Sequence, residues 1–252
     1  MRMRLHILMP SILRAAFFAA TLAAVGLYGG FFWTLLFFCA AFYGYFRSLF
    51  EWNTFLYSFC ILTLYSVLGM SFLSHASETS GFSGTMPTVV AAFLFGILFF
   101  LLLSIKEFLF LHRQAIFNFL SGALYFFIGG AFFLADKNGA GAYLTYSILS
   151  FVALYLLIKE STEFFMEDAP KRKKELLVIG SAVLVVEFLS VVSILPIGFL
   201  NSAALIILFA FILEDLVYYH LKGTLDRQIV LNNVTILIVC LLFIFATSKL
   251  SL

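Results

Sequence analysis

Charge is what this chain has least of. Only 11% of its 252 residues are Asp, Glu, Lys or Arg, and 63% are hydrophobic; soluble domains carry about 25% charged residues. So little charge cannot cover a water-exposed surface, which excludes an ordinary soluble globule and makes lipid the solvent. Cysteine is scarce too. Cys39, Cys60 and Cys240 each fall inside an apolar run without CxxC or Cys/His spacing, so neither a disulfide framework nor a zinc site is expected. They read as small apolar side chains. The four histidines, His6, His75, His112 and His220, are too few for the histidine clusters of membrane di-iron enzymes. No phosphate-binding glycine loop and no pair of catalytic carboxylates can be assembled. No cofactor, no metal and no nucleic-acid partner is therefore expected.

Apolar runs and aromatic residues fill the space instead, with 34 Phe and 11 Tyr. Nine runs are apolar enough to read as membrane spans: residues 7–28, 31–46, 54–73, 88–105, 115–135, 142–158, 176–195, 199–213 and 229–247. Lipid leaves the backbone two solutions, helices or a closed barrel. These runs are continuously apolar and lack the alternation of barrel strands. The predicted fold is an all-α integral membrane protein, a bundle of about nine transmembrane helices forming one domain over 1–252. The basic, apolar start also fits a signal peptide, but the apolar character continues, so a retained first span is expected. Gly29-Gly30 separates it from the second, since a single helix over 7–46 would be about twice the roughly 20 residues needed to cross.

Alternating nine spans sorts the basic residues. Arg2, Arg4, Arg47, Lys106, Arg113, Lys159, Lys171–Lys174, Lys222 and Arg227 fall on one side with Arg14 near it, and Lys137 and Lys249 on the other. Basic residues accumulate in cytoplasmic turns, which predicts a cytoplasmic N-terminus, an outside C-terminus and a multi-pass location in a cell membrane of prokaryotic cytoplasmic type.

A beat runs through the chain. Glu51, Glu107, Glu160 and Glu214 close alternate spans at intervals of 56, 53 and 54 residues. The turn at 214–233 also echoes the one at 107–118. Each has an acid five residues before a histidine (Glu107 and His112, Asp215 and His220), then Arg-Gln, and then Asn at the start of the next run: Arg113 and Asn118, Arg227 and Asn232. Both copies lie on one side, so a duplication of hairpins would be parallel. Even hairpin lengths and interfacial anchoring give a similar beat without duplication.

Within the spans, Glu187 stands apart, an acid amid VLVVEFLSVV. An acid at mid-bilayer costs at least roughly 2.5–3.5 kcal/mol, so it is expected to face the bundle interior as a substrate or proton site, or as a hydrogen-bonded structural acid. The Glu107/His112 and Asp215/His220 pairs have ligand-type side chains, but five residues is an awkward helical spacing. Interfacial polar residues are the better reading of both turns. Glu160, Glu163, Glu167 and Asp168 precede Lys171–Lys174, a self-neutralising turn whose basic half suits anionic headgroups. Gly81-Phe82-Ser83-Gly84 resembles the Gly-x-Ser-Gly of rhomboid intramembrane proteases. That resemblance implies a histidine in a later span, and His112 and His220 fall on the opposite face.

Three functions fit. A transporter or channel for a small apolar or lipid-like solute is preferred, since the spans hold little polarity for an ion path. A membrane scaffold or assembly subunit is the alternative, and a lipid-modifying enzyme with a cytoplasmic-face site (His112, Arg113, His220, Arg227) the third. Membrane lipids, other membrane subunits or a second copy are the expected partners.

Overall fold

A computed structural model describes residues 2–47, 55–80, 85–107, 112–136, 140–166, 170–195 and 197–247. Glu51, residues 81–84, the turn at 137–139, Glu167, Asp168, Pro196 and Lys249 lie outside them. The described residues form nine α-helices and no strand: α1 Arg2–Tyr28, α2 Gly30–Phe46, α3 Leu56–Ser80, α4 Thr85–Lys106, α5 Arg113–Asp136, α6 Ala140–Phe165, α7 Lys171–Ile194, α8 Phe199–Lys222 and α9 Arg227–Thr247. Seven contain segments long and apolar enough to cross a membrane: Met9–Tyr28, Leu56–Leu73, Thr85–Lys106, Arg113–Phe133, Lys171–Ile194, Phe199–Lys222 and Arg227–Ile244. The other two are α6, whose last turns carry Lys159, Glu160 and Glu163, and α2, with 17 residues. At 1.5 Å per residue α2 is about 25 Å long, against about 30 Å of hydrocarbon. The described residues are thus all-helical, with seven helices fit to span a membrane by length and composition, which points to a membrane protein.

Several helices outrun their apolar runs. The polar stretch 74–80 continues α3, because no Gly or Pro interrupts it. Likewise α6 continues to Phe165, seven residues beyond the predicted end, and α7 begins at Lys171, directly behind Pro170. The largest correction concerns the turn at 214–233. Helix α8 continues through Glu214, Asp215 and His220 to Lys222, so the connection shrinks to residues 223–226. Gly223 ends the helix in the left-handed conformation (φ 70°) that suits glycine. The Gly29-Gly30 break is as expected: both residues have positive φ, 63° and 83°, and α1 stops there.

The chain, read from its sequence as one transmembrane domain, divides into two compact units, Met1–Ser121 and Gly122–Leu252. In the first, α1 packs on α2, α3 and α4, and α3 packs on α4. Phe18 of α1 stacks on Phe99 of α4 (centroids 4.3 Å apart) and meets Phe37 of α2 edge-on at 4.9 Å. Gly26 faces Thr88, whereas Gly96 faces Ala15 and Ala19, so α1 and α4 run antiparallel. Tyr45, near the end of α2, stacks on Phe59, near the start of α3, at 4.2 Å.

In the second unit α7 packs on α6 and α8, and α9 packs on α8. Gly122, Gly129 and Gly130 of α5 seat Phe211, Ile206 and Phe199 of α8 in reverse order. Phe188 of α7 stacks on Phe209 of α8 at 4.1 Å. Successive helices alternate in direction within each unit, so α1 and α3, which touch, run parallel. One end of the first gathers Arg14, Arg47 and Lys106; one end of the second gathers Lys159, Lys171–Lys174, Lys222 and Arg227.

Candidate functional site

Glu107 is the acid of the first predicted turn, and it is buried, with 6% of its side chain exposed. Its partners come from α1, 93 and 96 residues earlier. Arg14 reaches it with Nη1 2.6 Å from Oε1, and the Ser11 hydroxyl donates to Oε2. Ser11 and Arg14 are three residues apart and share a face of α1. Next to it, the buried Lys106 turns the other way. Its Nζ donates to the Tyr45 carbonyl at 3.0 Å and lies 3.6 Å from the Tyr45 ring centroid, a cation–π contact that strengthens when desolvated. Arg113 Nε donates to the Ile105 carbonyl at 3.2 Å, tying the start of α5 to the end of α4 and satisfying a helix-end carbonyl.

Glu214 is held in its own way. The buried Tyr125 of α5 donates its hydroxyl to Glu214 Oε1 at 2.7 Å, and the Ser161 hydroxyl of α6 faces the same carboxyl. Glu160 is buried as well, at 6% exposure. Of the glutamate beat, Glu107 and Glu214 are thus each bonded to a side chain of another helix, and Glu160 is buried.

Between the end of α6 and the start of α7 lies a cavity of about 490 Å³. Tyr155, Lys159, Thr162 and Glu163 line it from α6; Lys171, Lys174, Glu175 and Val178 line it from α7. The spacings, four-three-one and three-one-three, put each set on a single helical face. The deeper positions Thr162 and Val178 are buried, while Glu163, Lys171 and Glu175 are exposed. Apolar wall and charged mouth sit within one pocket.

The structure separates the remaining predicted residues. Asp215 and His220 do not meet: five residues turn a helix by about 140°. Asp215 Oδ2 accepts from Asn233 Nδ2 at 2.8 Å, joining α8 to α9, and His220 is exposed in the last turn of α8. His112 is exposed, and its carbonyl starts α5 by accepting from Ile116 N at 3.3 Å. Asn118, Arg227 and Asn232 are exposed. The repeat pointed to Asn232, and the residue that bonds is its neighbour, about 100° further round α9. Among the described residues no three His, Cys, Asp or Glu side chains group as metal ligands.

Glu187 departs most from expectation. It is exposed on α7, on a face shared with Val183, Leu184, Val191 and Ile194, and is not turned towards α6 or α8. Val178 of the cavity lies nine residues earlier, half a turn round the helix. The inward face is taken by Ser181, Ala182, Val185, Leu189 and Val192, whose smaller side chains let α6 and α8 approach.

Sequence reasoning missed Ser11, Arg14, Tyr125, Asn233 and the lysine cavity. Only Arg14 carried a signal, a cation one turn from a serine inside an apolar run. The others depend on which helices pack together. No known protein family, no curated protein and no solved structure matches this chain.

Proposed function

We propose that the chain is a multi-pass protein of a cell membrane that binds and moves a small lipid-like solute. On this reading all nine helices cross, the short α2 being accommodated by local thinning of the bilayer. The ends that gather the basic residues lie in the cytoplasm, and the cell is of prokaryotic type. The observation that carries the reading is the α6–α7 cavity: an amphiphile's two halves would meet Val178 and Tyr155 on one side and ammonium and carboxylate groups on the other. Pockets that bind small ligands are apolar with a few placed polar groups, and occur between the helices of bundles.

A parallel duplication belongs to the same proposal. Helices α1–α4 and α5–α8 follow each other in the same order, and two acids of the beat, Glu107 directly after α4 and Glu214 within α8, are each held by side chains from the first helix of their set, Ser11 and Arg14 or Tyr125. Glu187 on this reading sits outside the solute site, so Glu187→Gln should leave the flux unchanged in a vesicle measurement, and a loss would place it in the path.

That measurement uses the purified chain in vesicles carrying a fluorescent single-chain lipid in one leaflet. Its movement should exceed that in empty vesicles by tenfold or more, and Val178→Trp, which fills the cavity, should return it towards the empty-vesicle rate. Equal rates with and without protein would reject transport. The scaffold reading would then stand, favoured by α9: its span Arg227–Ile244 has no buried residue, leaving it open to a neighbouring subunit or a second copy.

A further inference from the structure

Glu187 is an acid with nothing to bond to. It is exposed, and among the described residues no hydrogen bond or ion pair reaches its carboxyl. It follows Leu176, where the apolar run of α7 begins, by 11 residues, about 17 Å along the helix. A crossing α7 therefore holds it near the middle of about 30 Å of hydrocarbon. The buried Val178 and Val185 lie half a turn round the helix from it, so it occupies the centre of the outward face. Val183, Leu184 and Val191, three or four residues away, share that face, and all three are exposed. An acid among aliphatic side chains is unfavourable against lipid tails. The face therefore suits a polypeptide that brings a hydrogen-bonding group to the same depth.

A second copy of the chain meets that requirement in one way. Its cations are out of reach: Arg14 and Lys106 are bonded inside the first unit, to Glu107 and Tyr45, and the other described lysines and arginines stand within two turns of a helix end. The group it offers at the right depth is its own Glu187. A carboxyl group donates through its hydroxyl and accepts through its carbonyl, so two of them facing across a twofold axis satisfy each other. The same axis lays the aliphatic neighbours of one copy against those of the other. A single polar residue within an apolar helix pair also fixes its register. We propose that α7 pairs with α7 of a second copy, joined at Glu187 by hydrogen bonds between the two carboxyl groups. The proposal rests on the preceding reading only in that α7 crosses a membrane; it does not require transport.

The test uses the full chain with Cys39, Cys60 and Cys240 replaced by alanine and a dye on Thr224→Cys, an exposed position. Donor-labelled and acceptor-labelled chains are mixed in phosphatidylcholine vesicles, and energy transfer is followed as added lipid dilutes them. Transfer is expected, with its midpoint moved about tenfold towards higher chain density by Glu187→Leu, the loss of an interhelical hydrogen bond. Glu187→Gln should leave the midpoint in place, because an amide also donates and accepts. In parallel, Val183→Cys and Val191→Cys in the undyed chain should each link two copies on mild oxidation. Val239→Cys, equally exposed but on α9, should not. A chain that enters the vesicles yet stays single at every density overturns the inference and leaves the crossing intact. A chain that does not enter rejects the crossing, and this inference with it. Equal association of Glu187→Leu and the unmodified chain, or linkage through Val239→Cys in place of α7, overturns it by placing the contact elsewhere. So does a Val191→Cys link in cells to a different polypeptide, with none between copies.

Discussion

Glu107→Ala is expected to lower the stability of the chain in mild detergent by roughly 3–5 kcal/mol, the cost of leaving one member of a buried ion pair uncompensated. The stranded group would be the Arg14 guanidinium, only 16% exposed. The size of the effect comes from the orphaned charge, not from the worth of the pair itself. A pair of buried ions can be replaced by apolar side chains of similar volume at little cost. Arg14→Met combined with Glu107→Met should therefore recover most of what Glu107→Ala loses. Unfolding followed by circular dichroism checks both. A Glu107→Ala variant that unfolds with the unmodified protein would show that water reaches the pair freely and that α1 and α4 are not joined there.

Gly96→Leu should be nearly as damaging, for a reason of volume. A Cβ at Gly96 would stand 2.7 Å from Ala19 Cβ and 3.4 Å from the Ala15 carbonyl oxygen, both fixed to the α1 backbone. Neither can rotate aside, so α1 and α4 must separate and the Phe18–Phe99 stack must open. Overpacking of this kind costs roughly 1–3 kcal/mol, and sometimes more; small residues at such crossings are what allow membrane helices to approach. Gly180→Leu is the comparison, since a Cβ there meets nothing within 4 Å. It should unfold at the temperature of the unmodified chain. Leucine favours a helix more than glycine does, so equal loss in both variants would attribute the effect to added side-chain bulk anywhere on the helices, not to the α1–α4 contact.

Much of the architecture was legible in the sequence because lipid simplifies the problem. A continuously apolar run, without the alternation of barrel strands, must be a helix there, so every predicted span has a helix over it, and Gly29-Gly30 marks a true break. Ends were harder. Polar residues suggest turns, yet a helix does not stop because it meets Glu214 or Ser74; it stops at a residue such as Gly223 that favours another conformation. The site was less legible still. Period alone placed Glu107 and Glu214 at equivalent positions, but it could not reveal that one meets Arg14 and the other Tyr125, since those contacts span 93 and 89 residues. Glu187 drew attention by its rarity, and rarity does not say which way a side chain faces. The lysines around the cavity were visible only as a charge run, because the α6 half of the pocket is supplied by residues on the far side of Pro170.

On the proposed reading, these helices cross a membrane with their basic ends in the cytoplasm. Single cysteines at Arg172 and Thr224, and at Tyr28 and Ile194, in a chain whose Cys39, Cys60 and Cys240 are replaced by alanine, test it directly; all four positions are exposed. A maleimide that cannot cross membranes should label Tyr28→Cys and Ile194→Cys in intact cells, and Arg172→Cys and Thr224→Cys only after lysis. Labelling of all four from one side would contradict this orientation.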